Sequence, residues 1–276
     1  MAPADGKFRV FADYHTHTRY SHGTGSVRDN VRAAVSMGLS EVGITDHGPA
    51  MLWIGTKRSR WGALLQDIEE CQREFPQIKV LAGIEANVVS LDGRLDTPPE
   101  IDARLDIRLA GIHLQVLPPT LDDTLRLMVN NLTLARWTRA GSRRARVDNT
   151  KALVEAVYRN RIDLITHPGL KVNIDTAELA RACVRKGTAL EINASHTRSG
   201  PDYVRVAARQ GAKFVLSSDA HDPRDVGRVE RAAAIAEKAG LVPEQIANVA
   251  LDGYRRRPAS GGGRPPEPIE DTVIAE

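Results

Sequence analysis

Only two cysteines, Cys71 and Cys183, occur in the 276 residues. Each lies in a stretch with helical periodicity and neither has a second cysteine at ligand spacing, which excludes a thiolate metal site and argues against a disulfide framework. They are expected to be buried free thiols in a reducing cytoplasm. No run approaches the ~18 apolar residues of a membrane span, so a spanning helix is excluded. The chain reaches the strand-like segment Phe8–Tyr14 without an apolar leader, and secretion is therefore not expected. A strong charge bias is also missing. Lysine and arginine number 38 against 35 acids, too small an excess to argue for nucleic acid as an obligate partner. With 42% hydrophobic and 26% charged residues, the expectation is a soluble globular protein. One domain is the economical assumption, since single α/β barrels run to about 250 residues.

What is present is an alternation. Seven short apolar or β-branched runs, Phe8–Tyr14, Glu41–Thr45, Lys79–Ile84, Ile107–Ile112, Asp163–Thr166, Ala189–Ile192 and Lys213–Ser217, are separated by longer segments. Those segments carry helical periodicity at Val27–Met37, Gly62–Phe75, Asn149–Arg159, Thr176–Arg185, Pro201–Arg209 and Val226–Ala239. This is the mark of βα units around a parallel sheet. Two segments depart from it. Thr124–Val147 holds six arginines (Arg126, Arg136, Arg139, Arg143, Arg144 and Arg146) and no acid, within a long connection, 114–148, that reads as a cap or tether. From Arg255 the Pro-, Gly- and Ser-rich end lacks apolar periodicity and reads as a disordered tail, 255–276.

Nearly every strand-like run is followed by a histidine, aspartate or glutamate. The first ends in Asp13-Tyr14-His15-Thr16-His17, and strand geometry puts the two imidazoles on one face, where both can hold one ion. A lone pair of this kind is weak evidence. The following runs end in Asp46-His47-Gly48, Gly83-Ile84-Glu85, Ile112-His113, Thr166-His167-Pro168, Glu191-Ile192-Asn193 and Ser218-Asp219-Ala220-His221. Singly, His113 reads as a core histidine, His167 as a turn former, and Glu85 and Asp219 as caps. In a (β/α) barrel, however, the C-terminal strand ends share one rim. Recurrence there favours a shared metal centre over separate structural roles. Imidazoles with a few carboxylates suit zinc, manganese or iron better than magnesium or calcium.

In order, His15-Thr16-His17, His22, Thr45-Asp46-His47, Gly83-Ile84-Glu85, His113, His167-Pro168 and Ser218-Asp219-Ala220-His221 resemble the motifs of the PHP (polymerase and histidinol phosphatase) family. The similarity runs from about Val10 to Asp252 and is closest to small stand-alone bacterial phosphatases with a trinuclear centre. The resemblance implies a distorted (β/α)7 TIM-like barrel over residues 1–254 and a metal-dependent phosphoesterase. It also implies three divalent ions: one held by His15, His17, Glu85 and Asp219, a second by Glu85, His113 and His167, and a third by His22, His47 and His221. Glu85, Asp219 and His221 are then the expected catalytic residues. The arginine-rich connection after His113 departs from the compact relatives and leaves the substrate open.

Three divalent ions beside two carboxylates leave a formal charge of about +4 to attract a phosphate dianion, and a hydroxide bridging two of the ions is the expected nucleophile. Arg198 is expected to clamp the phosphate, with Asn193 as a further substrate-binding residue and His196 as a loop residue. Asp46 reads equally as a group orienting a ligand histidine or as a cap before Gly48. The loop Met51–Trp61 reads either as a cover over the site or as a solvated basic loop. The expected partner is a small phosphorylated substrate. A nuclease is the main rival, kept open by the arginines. An amidohydrolase is disfavoured, because the fourth run ends in His113 rather than a bridging lysine. A metal-stabilised scaffold is the non-catalytic alternative.

Overall fold

The computed structural model describes residues 8–133, 137–196 and 200–250. Seven strands lie side by side in chain order, all parallel: β1 (Ala12–Asp13), β2 (Glu41–Ile44), β3 (Lys79–Asn87), β4 (Ile107–Gly111), β5 (Leu164–Ile165), β6 (Ala189–Asn193) and β7 (Phe214–Ser217). At the C-terminal rim β1 and β7 are joined beyond their ends, where Thr16 bridges Ala220 and the His17 amide donates to the Ala220 carbonyl at 2.8 Å. Lower down, Asn248 fills the gap. Its amide donates to the carbonyls of Ala12 (2.8 Å) and Leu216 (2.7 Å) and accepts from the Leu216 amide at 3.0 Å. The result is the nearly closed, distorted (β/α)7 barrel that the family resemblance implies.

Side-chain alternation decides what lies inside it. Leu81, Leu109, Leu164, Ala189 and Val215 belong to one small buried cluster drawn from β3 to β7. Residues two or four further along the same strands share that face, and they are Glu85, His113, Glu191, Asn193 and Asp219. An apolar plug thus floors the barrel and the titratable groups stand on it. Two larger clusters fill the space between sheet and helices: one around Val42, Ile44, Trp61, Leu64 and Ile84, the other around Leu153, Ile165, Leu179, Leu190 and Phe214. Cys71 and Cys183 are buried in them as free thiols. No helix among the described residues is long and apolar enough to cross a membrane.

Several element bounds differ from expectation for physical reasons. The run Phe8–Tyr14 yields only Ala12–Asp13 as strand, since Val10 pairs instead with Val249 of the closing segment. The helix expected at Asn149 begins at Arg139 and runs to Arg159, with the Thr138 hydroxyl capping the Gly141 amide at 2.9 Å. The helix expected from Val226 begins at Glu230, after Gly227 turns the chain at φ 78°. Within the arginine-rich connection the chain forms a π-helical stretch, Thr124–Val129. Two of its arginines meet buried or half-buried acids. Arg126 pairs with Asp148, and Arg146 with Asp175. Arg136 and the segment 255–276 fall outside the described residues.

Candidate metal centre

Every rim histidine of the seven strand ends is delivered into one cluster. His15 and His17 leave β1 on the same face and are fully buried, with their Nε2 atoms 3.0 Å apart. Asp219 Oδ1 stands 3.5 Å from His15 Nε2 and 3.3 Å from His17 Nε2. Glu85 Oε2 stands 3.3 and 3.6 Å from the same two atoms. A tetrahedron of donors around an ion at about 2.0–2.1 Å has edges of roughly 3.3–3.4 Å, so both carboxylates stand at ligand-shell spacing from the two imidazoles.

Glu85 faces the second group with its other oxygen. Oε1 lies 2.9 Å from His167 Nε2 and 3.3 Å from His113 Nε2, and these two nitrogens are 3.3 Å apart. His47 Nδ1 approaches Glu85 Oε2 to 2.7 Å, yet neither atom has an aligned hydrogen bond. A buried carboxylate oxygen and a buried imidazole nitrogen left in that condition fit a cation that both would face. On the outer side His17, His47 and His221 offer a further group of donors. The exposed His22 ring borders it, with centroids 4.1 Å from His221 and 5.0 Å from His47.

The electrostatics follow from this crowding. Burial works to raise the Glu85 carboxyl, but His15, His47 and His113 outweigh it and hold it well below the carboxylate range. Asp219 is held well down in the same way, by His15 and by contacts with His17 and His196. Burial and then His47 push the His17 ring well down, and desolvation with His221 and His47 brings His22 to about 4. Against the effect of burial, Glu191, Glu85 and Asp219 push the His15 ring well above the ordinary imidazole range, and Glu85 pushes His167 up, so ionised carboxylates surround a mixed set of rings that would give up protons to a divalent ion. Two of the residues adopt left-handed backbone, His167 at φ 26° and Asp219 at φ 55°, a strain that persists only where the surroundings over-determine it.

Four carboxylates, three of them buried and Asp96 half-buried, brace the loops that carry these groups. Asp46 accepts from the Thr18 amide (2.8 Å) and hydroxyl (2.7 Å), from the Ser21 amide (3.1 Å) and from the Ser21 hydroxyl, holding the loop that leads to His22. It does not cap the turn before Gly48, whose amide donates to the Glu85 carbonyl. Asp96 accepts from the amide (2.7 Å) and side chain (2.7 Å) of Asn87, whose Oδ1 accepts from His113 Nδ1 at 2.7 Å. Asp13 holds the Ser218 and Gly227 amides, and Glu191 faces His15 and His167. Sequence reasoning left Asp13, Asn87, Asp96 and Glu191 out of the site. For Glu191 a signal existed, since it shares the inward face of β6 with Asn193.

Asn193, expected to bind substrate, sits behind the acids. It is 1% exposed, its Nδ2 donates to Glu191 (3.1 Å) and Asp219 (3.0 Å), and its Oδ1 accepts from the amides of Ser195 and His196. All of its polar groups are engaged within the protein, where it braces the acids from behind. His196, read as a loop residue, instead brings Nε2 to 3.3 Å of Asp219 Oδ2 at the mouth. Arg198 falls outside the described residues. The loop after β2 splits its tryptophans: Trp61 is buried, while Trp53 is 89% exposed. That loop pairs with the start of the long connection through Met51 and Val116.

The model of the PHP domain matches residues 13–195, spanning β1 to the end of β6. The chain belongs to the PHP family. A relative from Caldanaerobacter subterraneus subsp. tengcongensis, named a probable phosphatase, is 31% identical over 273 residues, covering 94% of this chain and 96% of the relative. Another probable phosphatase, from Edwardsiella ictaluri, is 31% identical and covers 92% of this chain and 95% of the relative. Among solved structures, histidinol phosphate phosphatase from Lactococcus lactis subsp. lactis, complexed with zinc, L-histidinol and phosphate, superposes with a TM-score of 0.56. It shares 18% identity, and the match covers 83% of this chain and 93% of that one, a likeness of fold.

Proposed function

We propose that the protein is a metal-dependent phosphomonoesterase acting on a small phosphorylated substrate. The observation that carries the reading is Glu85, fully buried, with one oxygen facing His15, His17 and His47 and the other facing His113 and His167. A carboxylate shared by two groups of imidazoles suits a bridge between ions. In this reading His15, His17, Glu85 and Asp219 hold the first ion, Glu85, His113 and His167 the second, and His22, His47 and His221 a third. The donor set suits zinc, manganese or iron. Bound ions would supply positive charge that draws a phosphate dianion and acidity that activates water.

The chain's own groups do the remaining work. Glu85 and Asp219 keep the ligand atoms together, His221 and the half-exposed His196 stand where substrate enters, and Arg198 is the proposed clamp on phosphate oxygens. The catalytic domain is taken to run over residues 1–254, including the connection 114–148, because β6 and β7 complete the barrel and β7 leads to Asp219. The two buried free thiols fit a reducing compartment, the cytoplasm. A nuclease is favoured less than the sequence alone suggests, since Arg126 and Arg146 already pair with acids.

Elemental analysis of the purified protein, followed by phosphate release from a metabolite panel that includes histidinol phosphate, tests the proposal. Two or three ions per chain and monoester turnover exceeding shortening of single-stranded DNA are expected; fewer than two ions would sink the multinuclear reading. Chelation should also lower Tm. An ion present at 1,000 times its Kd stabilises by about 4.1 kcal/mol, or roughly 8–16 °C for a domain of this size.

A further inference from the structure

Glu191 is fully buried at the middle of β6 and touches both ends of the centre without belonging to any of the donor groups above. Its Oε1 lies 2.7 Å from His15 Nδ1. Its Oε2 accepts from the backbone amide of His167 at 2.5 Å and from Asn193 Nδ2 at 3.1 Å. One carboxylate therefore addresses a residue proposed for the first ion through its ring and a residue proposed for the second through its backbone.

A carboxylate only accepts. Facing Glu191 Oε1, His15 Nδ1 must carry a proton, which leaves Nε2, at 3.0, 3.3 and 3.5 Å from His17, Glu85 and Asp219, as the nitrogen available to ligate. An imidazole can ligate only through a nitrogen without a proton. At His167 the same side chain holds the amide of a residue whose backbone sits at φ 26°, a conformation that needs such an anchor.

The geometry points to Glu191 as a positioning residue that fixes the His15 tautomer and the His167 backbone together, so that the proposed first and second ion sites are preorganised by one side chain. This rests on the metal-dependent reading above. Glutamine is the informative replacement, because it keeps the shape but turns one oxygen into a donor. Two donors, the His167 amide and Asn193 Nδ2, face one position, so the glutamine oxygen will settle there and its NH2 will face His15. Nδ1 must then accept, and the proton moves to Nε2, which blocks the ligating atom.

The test uses the full-length protein stripped of metal and then titrated with Zn²⁺ against a competing chelator. In wild type, long-range nitrogen–proton NMR correlations should show His15 protonated at Nδ1; an Nδ1 without a proton would overturn the inference without any variant being made. Glu191→Gln should show the proton on Nε2, and its tightest Zn²⁺ affinity should fall about 10–100-fold, the usual range for a group supporting a metal-bound histidine. In a His15→Ala background the same substitution should cost less, because the contact through the ring is already gone. An unchanged affinity, or a loss of affinity with Nδ1 still protonated, overturns the inference. A wild-type protein that takes up no Zn²⁺ would defeat the metal-dependent reading, while leaving the tautomer measurement interpretable.

Discussion

Replacing Asp46 separates the worth of a buried charge from the worth of the hydrogen bonds it receives. The carboxylate is 0% exposed and accepts from Thr18 and Ser21. Burial nevertheless raises its pKa above the ordinary value, outweighing all of those contacts. In the metal-free protein the charge itself is therefore not a net source of stability. Asp46→Asn keeps an acceptor for the two amides, and the Thr18 hydroxyl can turn to accept from the new NH2. The expected cost is about 1 kcal/mol, one ordinary hydrogen bond. Asp46→Ala removes every acceptor. The Thr18 amide, in a residue that is 0% exposed, loses its partner while the Ser21 amide has water within reach, and the expected cost is about 2–4 kcal/mol. In a domain of this size these correspond to Tm losses of roughly 2–4 °C and 4–16 °C. Differential scanning calorimetry of the chelated proteins reads both values. Elemental analysis of the loaded proteins should show Asp46→Ala losing one ion, from the site that includes His22, with Asp46→Asn unchanged. If the asparagine variant were as unstable as the alanine variant, the charge would be stabilising after all and the reasoning would fail.

Two further outcomes follow from the same geometry. A methyl group at Gly48 would lie 2.3 and 2.4 Å from the two oxygens of Asp96, which is held in place by Asn87 and by the Ala50 amide at 2.8 Å. Gly48→Ala should cost about 1–3 kcal/mol and lower metal content by freeing His113, and an unaltered Tm in calorimetry would contradict this. The His22 ring titrates at about 4 in the folded protein against 6.5 ordinarily. Its contribution is complete above pH 6.5 and is lost as pH falls toward 4, because the unfolded chain takes up a proton that the folded one resists. Urea denaturation of the chelated protein at pH 7 and pH 5 should show wild type losing more stability than His22→Asn; equal losses would show that the ring is not depressed.

The strand ends were legible because parallel strands impose a period of two, so a ligand two or four residues past an apolar inward residue is visible as a pattern. Leu81 with Glu85 and Leu109 with His113 are examples. The bracing acids were harder to see. Asp96 lies in the turn after β3, where no periodicity points to it, and its role depends on Asn87 standing between it and His113. The start of the helix Arg139–Arg159 was hidden for another reason. Its buried face includes Gly141, Asp148, Asn149 and Thr150, polar or small residues that yield no apolar stripe. They are accommodated inside by partners elsewhere: Arg126 for Asp148, Asn131 for Asn149. Asn193 carries no pattern that separates the two roles, because a residue type that commonly meets ligands serves equally well to hold acids in place.

The Asn248 seam has a consequence for how the protein is made. β1 carries His15 and His17 and emerges early from the ribosome, yet its free edge is completed by Val249 and by the side chain of Asn248, more than two hundred residues later. Domains fold as units during synthesis and long-range pairings form late. The first two histidines must therefore wait, solvent-accessible, until almost the whole chain has been translated. A nascent chain halted before residue 246 would hold most of its helices and the rim contacts with Ala220 but lack the Asn248 amide that joins β1 to β7 lower down, and ion capture becomes one of the last events of biogenesis.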